Sequence, residues 1–421
     1  MRVFSNKLLS TNQLPLLTLA NNEGWLDGFS DDNFLIKCLN NKLDYFDEHS
    51  NLIGNSPYFN SNIQSCNTFL FNFSRMLGIL ISKFGKDDVK KFFKHSLIAG
   101  GKNYSDEQFF RAYSEIVVIE FLLKYNQVEK CIYEPKLGVN GSNPEARLIC
   151  EDGVIVDIEV KTPGFKKEES TNTIIPAFIL DDDIEHEFKE IAEKHNLNYV
   201  RPRVLKLKDF INSAGKKFEK PKSSKHINLL YINWTYSDIK FSGFKEPYGL
   251  LYNNLNGILK NKDFALRLGI EEEALEKITA IIIYQDSFDS LIFGDFRDVW
   301  NGYKFRLLPN QLIDSTLIDK ELLFKITGMN PPVKGDHLAP YLLSYSGSKE
   351  NCFLIADMIN SKIQEKISKL NIDGFEDNFI YFNKDFWEKT YNEQMLYFNQ
   401  FKDCFIPQDK NLNNVTAFIS I

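Results

Sequence analysis

The sequence predicts an α/β fold: one helix, three strands, a second helix and a fourth strand around a mixed sheet. Three observations predict this core. A capped helical pattern opens it, an Asp-Gly turn joins two of its strands, and an uninterrupted apolar run closes it. Because 421 residues exceed the usual size of a single core, we divide the chain into three regions. These are a helical N-terminal region at 1–104, the core at 105–290 with an insertion at about 165–204, and an α/β or helical C-terminal region at 291–421.

The N-terminal region has apolar side chains at helical spacing in three segments, residues 33–46, 67–84 and 86–97. No run of about 18 uncharged apolar residues occurs, so we expect no membrane span and a cytoplasmic protein. The six cysteines and six histidines are scattered without metal-ligand spacing, which argues against a zinc site. The formal net charge of −7 disfavours a broad basic surface but leaves room for a local basic groove.

The core elements follow in a definite order. Ser105 and Gln108 have the spacing of a capping box, and the helix that they start extends to about Tyr125. Strands are predicted at 131–137, 144–150 and 154–160, a helix at 205–219 and a strand at 227–234. The last strand is continuously apolar, which is typical of a strand buried on both faces and paired in parallel. Farther on, we predict a strand at 279–287 and helices at 352–370 and 385–401.

Residues 143–163, NPEARLICEDGVIVDIEVKTP, carry the most informative chemistry. Alternate side chains of a strand share a face, so Asp157, Glu159 and Lys161 lie on one face of the third predicted strand. The paired strand begins at Pro144-Glu145, which allows Glu145 to lie across from Glu159. Two carboxylates on neighbouring strands are suitable ligands for Mg²⁺, which keeps several of its waters.

These residues resemble a known pattern. The order of these motifs resembles that of the PD-(D/E)xK nucleases, also called restriction-endonuclease-like. The chain has a helix with Glu115, then Pro144-Glu145, and then Glu159-Val160-Lys161. The helix, three strands, helix and strand of this family match the predicted elements over residues 105–234. The sequence departs from the family pattern at Glu145, where the family usually has aspartate.

The resemblance implies a role for each residue. Glu145 and Glu159 would hold Mg²⁺ or Mn²⁺, helped by the backbone carbonyl of Val160. Lys161 would position the attacking water and offset charge in the transition state. Glu115 would add a carboxylate from the first helix, either beyond the metal ligands or toward a second metal.

Each assignment has a simpler alternative. The acid-x-acid-x-basic strand occurs widely as a solvated sheet face, and Asp157 is better explained by a structural role. Glu115 has Arg111 one turn away as a salt-bridge partner. Lys216 and Lys217 on the second helix are either phosphate contacts or part of a solvated basic face, and Glu120 is the weaker carboxylate candidate on the first helix.

The function that the resemblance implies is a metal-dependent endonuclease that hydrolyses phosphodiester bonds of nucleic acid, with DNA favoured. Related cores serve in restriction, phage defence or mobile-element processing, so the expected partners are nucleic acid and either a second copy or proteins of such a system. No membrane partner is expected. The alternative is a catalytically inactive nuclease-like fold that binds nucleic acid or protein.

Overall fold

The computed structural model describes most of the first 330 residues and two short segments beyond them. The described residues are 2–11, 13–42, 62–138, 141–163, 173–176, 182–194, 196, 198–234, 245–252, 256–284, 305–328, 342–348 and 414–420. The helices predicted at 352–370 and 385–401 lie outside these ranges.

Helices dominate the described N-terminal segments, and several lie where helical spacing predicted them. The α-helices are α1 (Lys7–Ser10), α2 (Pro15–Asn22), α3 (Phe34–Leu39), α4 (Asn62–Phe84), α5 (Lys86–Phe92), α6 (Asp106–Tyr125), α7 (Asp182–Lys194), α8 (Val204–Lys217), α9 (Lys245–Tyr252), α10 (Lys262–Arg267), α11 (Glu272–Lys277) and α12 (Lys320–Thr327). The side chain of Ser105 accepts a hydrogen bond from the Gln108 amide at 3.4 Å, so the predicted cap of α6 is confirmed. None of the described helices combines the length and the apolar character that crossing a bilayer requires.

The strands within the described residues form a mixed sheet of six and a second sheet of four. They are β1 (Val128–Tyr133), β2 (Ala146–Cys150), β3 (Ile155–Lys161), β4 (Thr173–Pro176), β5 (Asn198–Tyr199), β6 (His226–Asn233), β7 (Ala280–Tyr284), β8 (Phe305–Pro309), β9 (Leu342–Ser348) and β10 (Asn414–Ser420). The order in the large sheet is β1-β2-β3-β6-β7-β8, and in the small sheet β10-β9-β4-β5. The α/β class and the mixed sheet are therefore confirmed, while the domain boundaries stay predictions.

Strand β6 is the central strand that the apolar run predicted. It pairs in parallel with β3 and with β7, and every one of its residues is buried. Its two faces belong to different hydrophobic clusters. Leu229 and Tyr231 pack with the N-terminal helices and α6, whereas Leu230 and Ile232 pack with α8. The crossover through α8 thus places this helix on one face of the sheet, opposite α6.

The N-terminal helices pack onto the same face of the sheet as α6. Phe69 and Phe73 of α4 lie 5.5 Å and 6.0 Å from the ring of Tyr113 in α6, centroid to centroid. The same cluster includes Val156, Ile158 and Val160, the apolar residues of β3. This packing fixes α6 against β3 and thereby holds Glu115 near the end of that strand.

Candidate functional site

The hairpin of β2 and β3 brings Glu145, the residue before β2, close to Glu159. The strands pair antiparallel with Ala146 opposite Ile158, and the Glu145 amide donates a 2.9 Å hydrogen bond to the Ile158 carbonyl. Gly153 in the connecting turn has a φ of +77°, a conformation that glycine adopts without strain. The Asp-Gly turn therefore sets the register that joins the two carboxylates.

Two lysines contact the glutamates. The ammonium nitrogen of Lys161 lies 2.6 Å from Oε1 of Glu159. The ammonium nitrogen of Lys217, at the end of α8, lies 2.7 Å from the same oxygen and 3.3 Å from Oε1 of Glu145. We call Glu115, Glu145, Glu159, Lys161 and Lys217 the glutamate–lysine cluster. These contacts join three of the four predicted site residues, and the fourth, Glu115, lies near enough for the charges of the others to shift its pKa.

Burial is uneven within the glutamate–lysine cluster. The side chain of Glu159 is fully buried, whereas those of Glu145 and Lys161 are 12% and 20% exposed. Oε2 of Glu159 is also buried, and no described residue donates a hydrogen bond to it. A buried carboxylate oxygen without a donor is costly, so this oxygen is available to a further ligand.

The glutamates of the cluster bind protons more readily than exposed glutamates do. Burial, and then the charge of Glu159, raise the pKa of Glu145 to about 7 against the opposing effects of Lys217 and Lys161. Burial, then the charges of Glu145 and Glu159, raise the pKa of Glu115 well above its usual value. Burial lowers the pKa of Lys217, but the two carboxylates outweigh this effect and raise it overall.

In EDTA, Glu145 is expected to make folding less favourable as the pH rises from about 4.5 toward about 7. Its pKa is higher in the folded than in the unfolded chain, so the folded chain binds more protons in this window. The stability that this proton contributes is complete below the unfolded pKa and is lost as the pH rises through the folded pKa.

Urea unfolding at pH 5 and pH 8 measures the effect of Glu145. The Glu145→Gln variant cannot ionise, so its stability should fall less between the two pH values than that of the wild type. Equal losses in both proteins would contradict the burial of this carboxyl group.

Oxygen ligands fit a hard divalent cation at this position. Glu145 and Glu159 offer carboxylates from adjacent strands, and Oε2 of Glu159 lacks a donor. Within the described ranges, no three His, Cys, Asp or Glu side chains form a ready-made metal group. Mg²⁺ commonly uses one or two carboxylates and keeps its remaining waters, so the pair is a suitable donor set for it.

The carboxylates of α6 have different surroundings. Arg111 forms its salt bridge with Glu107 rather than the alternative one with Glu115, and its guanidinium lies 3.5 Å from the carbonyl of Pro163 after β3. Glu120 is buried and lies 2.5 Å from Lys124, with Arg75 3.4 Å away. The charge of Glu120 is thus balanced outside the cluster. The pKa of Glu115 is raised first by burial and then by the charges of the cluster.

Asp157 contacts residues outside the cluster. Arg147 of β2 makes two contacts of 2.7 Å with its carboxylate, and Nε2 of His226 lies 3.0 Å from Oδ2. Arg147 also lies 3.0 Å from Glu219, after α8. This buried network joins β2, β3 and β6 beside the cluster, which agrees with the structural role predicted for Asp157.

Lys217 is the residue whose role the sequence missed. From the sequence, Lys217 was expected to be either a phosphate contact or part of a solvated basic face, but its ammonium group instead reaches both Glu145 and Glu159. Its neighbour Lys216 is exposed and lies 3.2 Å from Glu271 instead. Two successive residues of a helix point about 100° apart, so only one of the two lysines could face the carboxylates. The sequence held no other signal that distinguished Lys217 from Lys216.

No protein-family profile, curated protein or solved structure matches the chain. The similarity to PD-(D/E)xK nucleases therefore rests on the residues of the cluster and on the order of its elements.

Proposed function

We propose that the chain is a nuclease that depends on Mg²⁺ or Mn²⁺ and acts at the glutamate–lysine cluster. One observation carries the proposal: a fully buried Glu159 lies within 2.7 Å of two ammonium groups, one of which also contacts Glu145. Like charges at such close range repel one another, and burial strengthens the repulsion. The ion pairs with the lysines offset this repulsion only against the cost of burying all four charges, whereas phosphodiester hydrolysis uses metal-binding carboxylates and a nearby cation.

Each residue of the cluster has a different role in the proposed reaction. Glu145 and Glu159, with the carbonyl of Val160, would hold the cation, which supplies Lewis-acid polarisation of a phosphate oxygen when bound. Lys161 donates from its ammonium group to the attacking water and to the charge that develops on the phosphate. Glu115, half-buried beside these groups, would add a further carboxyl group from α6.

A cleft of about 510 Å³ adjoins the cluster, and its lining favours an anionic substrate. Lys217 belongs to both the cleft and the cluster. The cleft is lined by Ser142, Lys208, Asp209, Asn212, Ser213, Lys216, Lys217 and Gly269. Its three lysines, of which Lys216 and Lys217 also pair with glutamates, alternate with hydroxyl and amide groups that suit a phosphate backbone. This local charge compensates for the acidic total of the chain.

Cleavage of nucleic acid tests the proposal. Purified protein should cut at least one of plasmid DNA, single-stranded DNA and RNA with Mg²⁺ or Mn²⁺, and none of them in EDTA. Oxygen ligands favour these two cations over Zn²⁺, so cleavage with Zn²⁺ alone would contradict the proposed site. From the resemblance, we expect DNA to be the substrate. We also expect a role in restriction or defence, and assembly with a second copy or a partner protein.

The ion pairs of Lys217 favour a second candidate, an inactive nuclease-like fold that binds nucleic acid or protein. In this case the lysines neutralise Glu145 and Glu159 permanently, and the cluster only stabilises the end of β3. Such a protein should bind nucleic acid equally well with and without metal, and should leave all three substrates uncut.

A further inference from the structure

We propose that Lys217 is a displaceable counter-cation for the metal site. Its ammonium group occupies the Glu145–Glu159 pair in the metal-free protein, and a divalent cation binds there only by releasing it. The inference rests on the proposed function, because it concerns the same two carboxylates.

The ammonium group of Lys217 lies where the proposed cation would bind. It lies 2.7 Å from Glu159 and 3.3 Å from Glu145, so it bridges the two strands as a bound cation would. Lys161 lies 2.6 Å from the same oxygen of Glu159. Two ammonium groups on one oxygen repel each other, and no described residue donates a hydrogen bond of good geometry to either oxygen of Glu159. One of the two lysines can therefore leave at a reduced cost.

The backbone of Lys217 is held in place, so the exchange involves its side chain. The hydroxyl of Ser142 donates a 3.2 Å hydrogen bond to the Lys216 carbonyl. A Cβ atom added at Gly138 would lie 2.8 Å from that carbonyl oxygen, and one added at Gly215 would lie 2.3 Å from the Cβ of Ala274. The end of α8 is thus packed closely on two sides, and rotation about the four-carbon stem is the available motion.

The cleft provides a place for the released ammonium group. Lys217 already lines it together with Lys208 and Lys216, so a modest rotation moves the charge from the carboxylates toward the cleft. There it faces the position proposed for the phosphate backbone. Cation binding would then add charge to the carboxylate pair and, in the same step, turn a lysine toward the anionic ligand.

Calorimetric titration of the full chain with Mn²⁺ alone tests the competition. Lys217→Met keeps most of the stem but removes the charge, so its affinity for Mn²⁺ should be about tenfold higher than that of the wild type. Lys217→Arg keeps the competing charge and should stay close to the wild type. Lys216→Met is the matched control, because this neighbouring lysine contacts Glu271 outside the cluster, and its affinity should not change.

The outcomes separate the inference from the proposed function. Measurable Mn²⁺ binding by the wild type, with equal or weaker binding by Lys217→Met, would overturn the role of Lys217 and leave the metal site standing. Absence of Mn²⁺ binding in both proteins would overturn the metal site together with the inference.

Acylation of the wild-type protein gives a second readout that needs no variant. An amine-reactive ester should label Lys217 slowly without metal and faster with Mn²⁺, while labelling of Lys216, read in the same mass spectrum, should stay constant. Equal labelling of Lys217 with and without Mn²⁺ would show that its ammonium group is not released, and would overturn the inference.

Discussion

Replacing Lys161 by alanine is expected to lower metal-dependent cleavage by about 100-fold or more, because such losses follow when a donor to transition-state charge is removed. The ammonium group of Lys161 lies at the end of β3, 2.6 Å from the buried carboxylate of Glu159. Glu159→Gln should cause a loss of similar size, since it removes a proposed metal ligand while keeping the shape of the side chain. Cleavage rates on whichever substrate the wild type cuts measure both effects.

Lys220→Ala provides the control for the loss of a lysine. Lys220 is 60% exposed and pairs with Glu276 at 2.6 Å, outside the cluster and outside the residues that line the cleft. Its cleavage rate should match that of the wild type. Near wild-type cleavage by either Lys161→Ala or Glu159→Gln, in folded protein, would show that the active site lies elsewhere.

Replacing Arg147 by methionine is expected to destabilise the fold by about 3–5 kcal/mol, the usual cost of removing one partner of a buried ion pair. Asp157 is fully buried, and Arg147, 14% exposed, supplies both of its 2.7 Å guanidinium contacts. Without Arg147, the carboxylate keeps His226 at 3.0 Å as its described partner. Urea unfolding followed by circular dichroism measures the change in the free energy of unfolding.

Two comparisons define the Arg147 experiment. An Arg147→Met, Asp157→Leu double variant removes both charges and should recover much of the lost stability, because replacing a buried ion pair by apolar side chains is often close to neutral. Lys220→Met removes an exposed ion pair and should leave the unfolding midpoint nearly unchanged. If Arg147→Met unfolds at the wild-type midpoint, the network around Asp157 does not stabilise the sheet.

Local signals in the sequence predicted the core well. The cap of α6 at Ser105, the hairpin turn at Gly153 and the buried strand at 227–234 each depend on residues close together in the chain. Such features follow from backbone geometry and side-chain alternation alone. The proximity of Glu145 and Glu159 follows from them, because the turn fixes the register of the hairpin.

Long-range contacts were the part that the sequence did not predict. Lys217 reaches Glu145 across 72 positions, and His226 reaches Asp157 across 69. These partners depend on how α8 crosses the sheet and not on any local pattern. The pairing of β4, inside the predicted insertion, with β9 of the C-terminal region is of the same kind. Periodicity identifies such strands at best, and says nothing about which strand each will pair with.

The melting temperature with and without Mg²⁺ or Mn²⁺ tests the metal site at Glu145 and Glu159 most directly. A ligand that binds only the folded state, at 100 times its Kd, adds about 2.7 kcal/mol of stability. The wild type should therefore melt at a higher temperature in millimolar metal than in EDTA. The shift should be much smaller in a Glu145→Gln, Glu159→Gln double variant, whatever its melting temperature in EDTA. An unchanged melting temperature of the wild type, under conditions where a control nuclease responds, would contradict a metal site in this cluster.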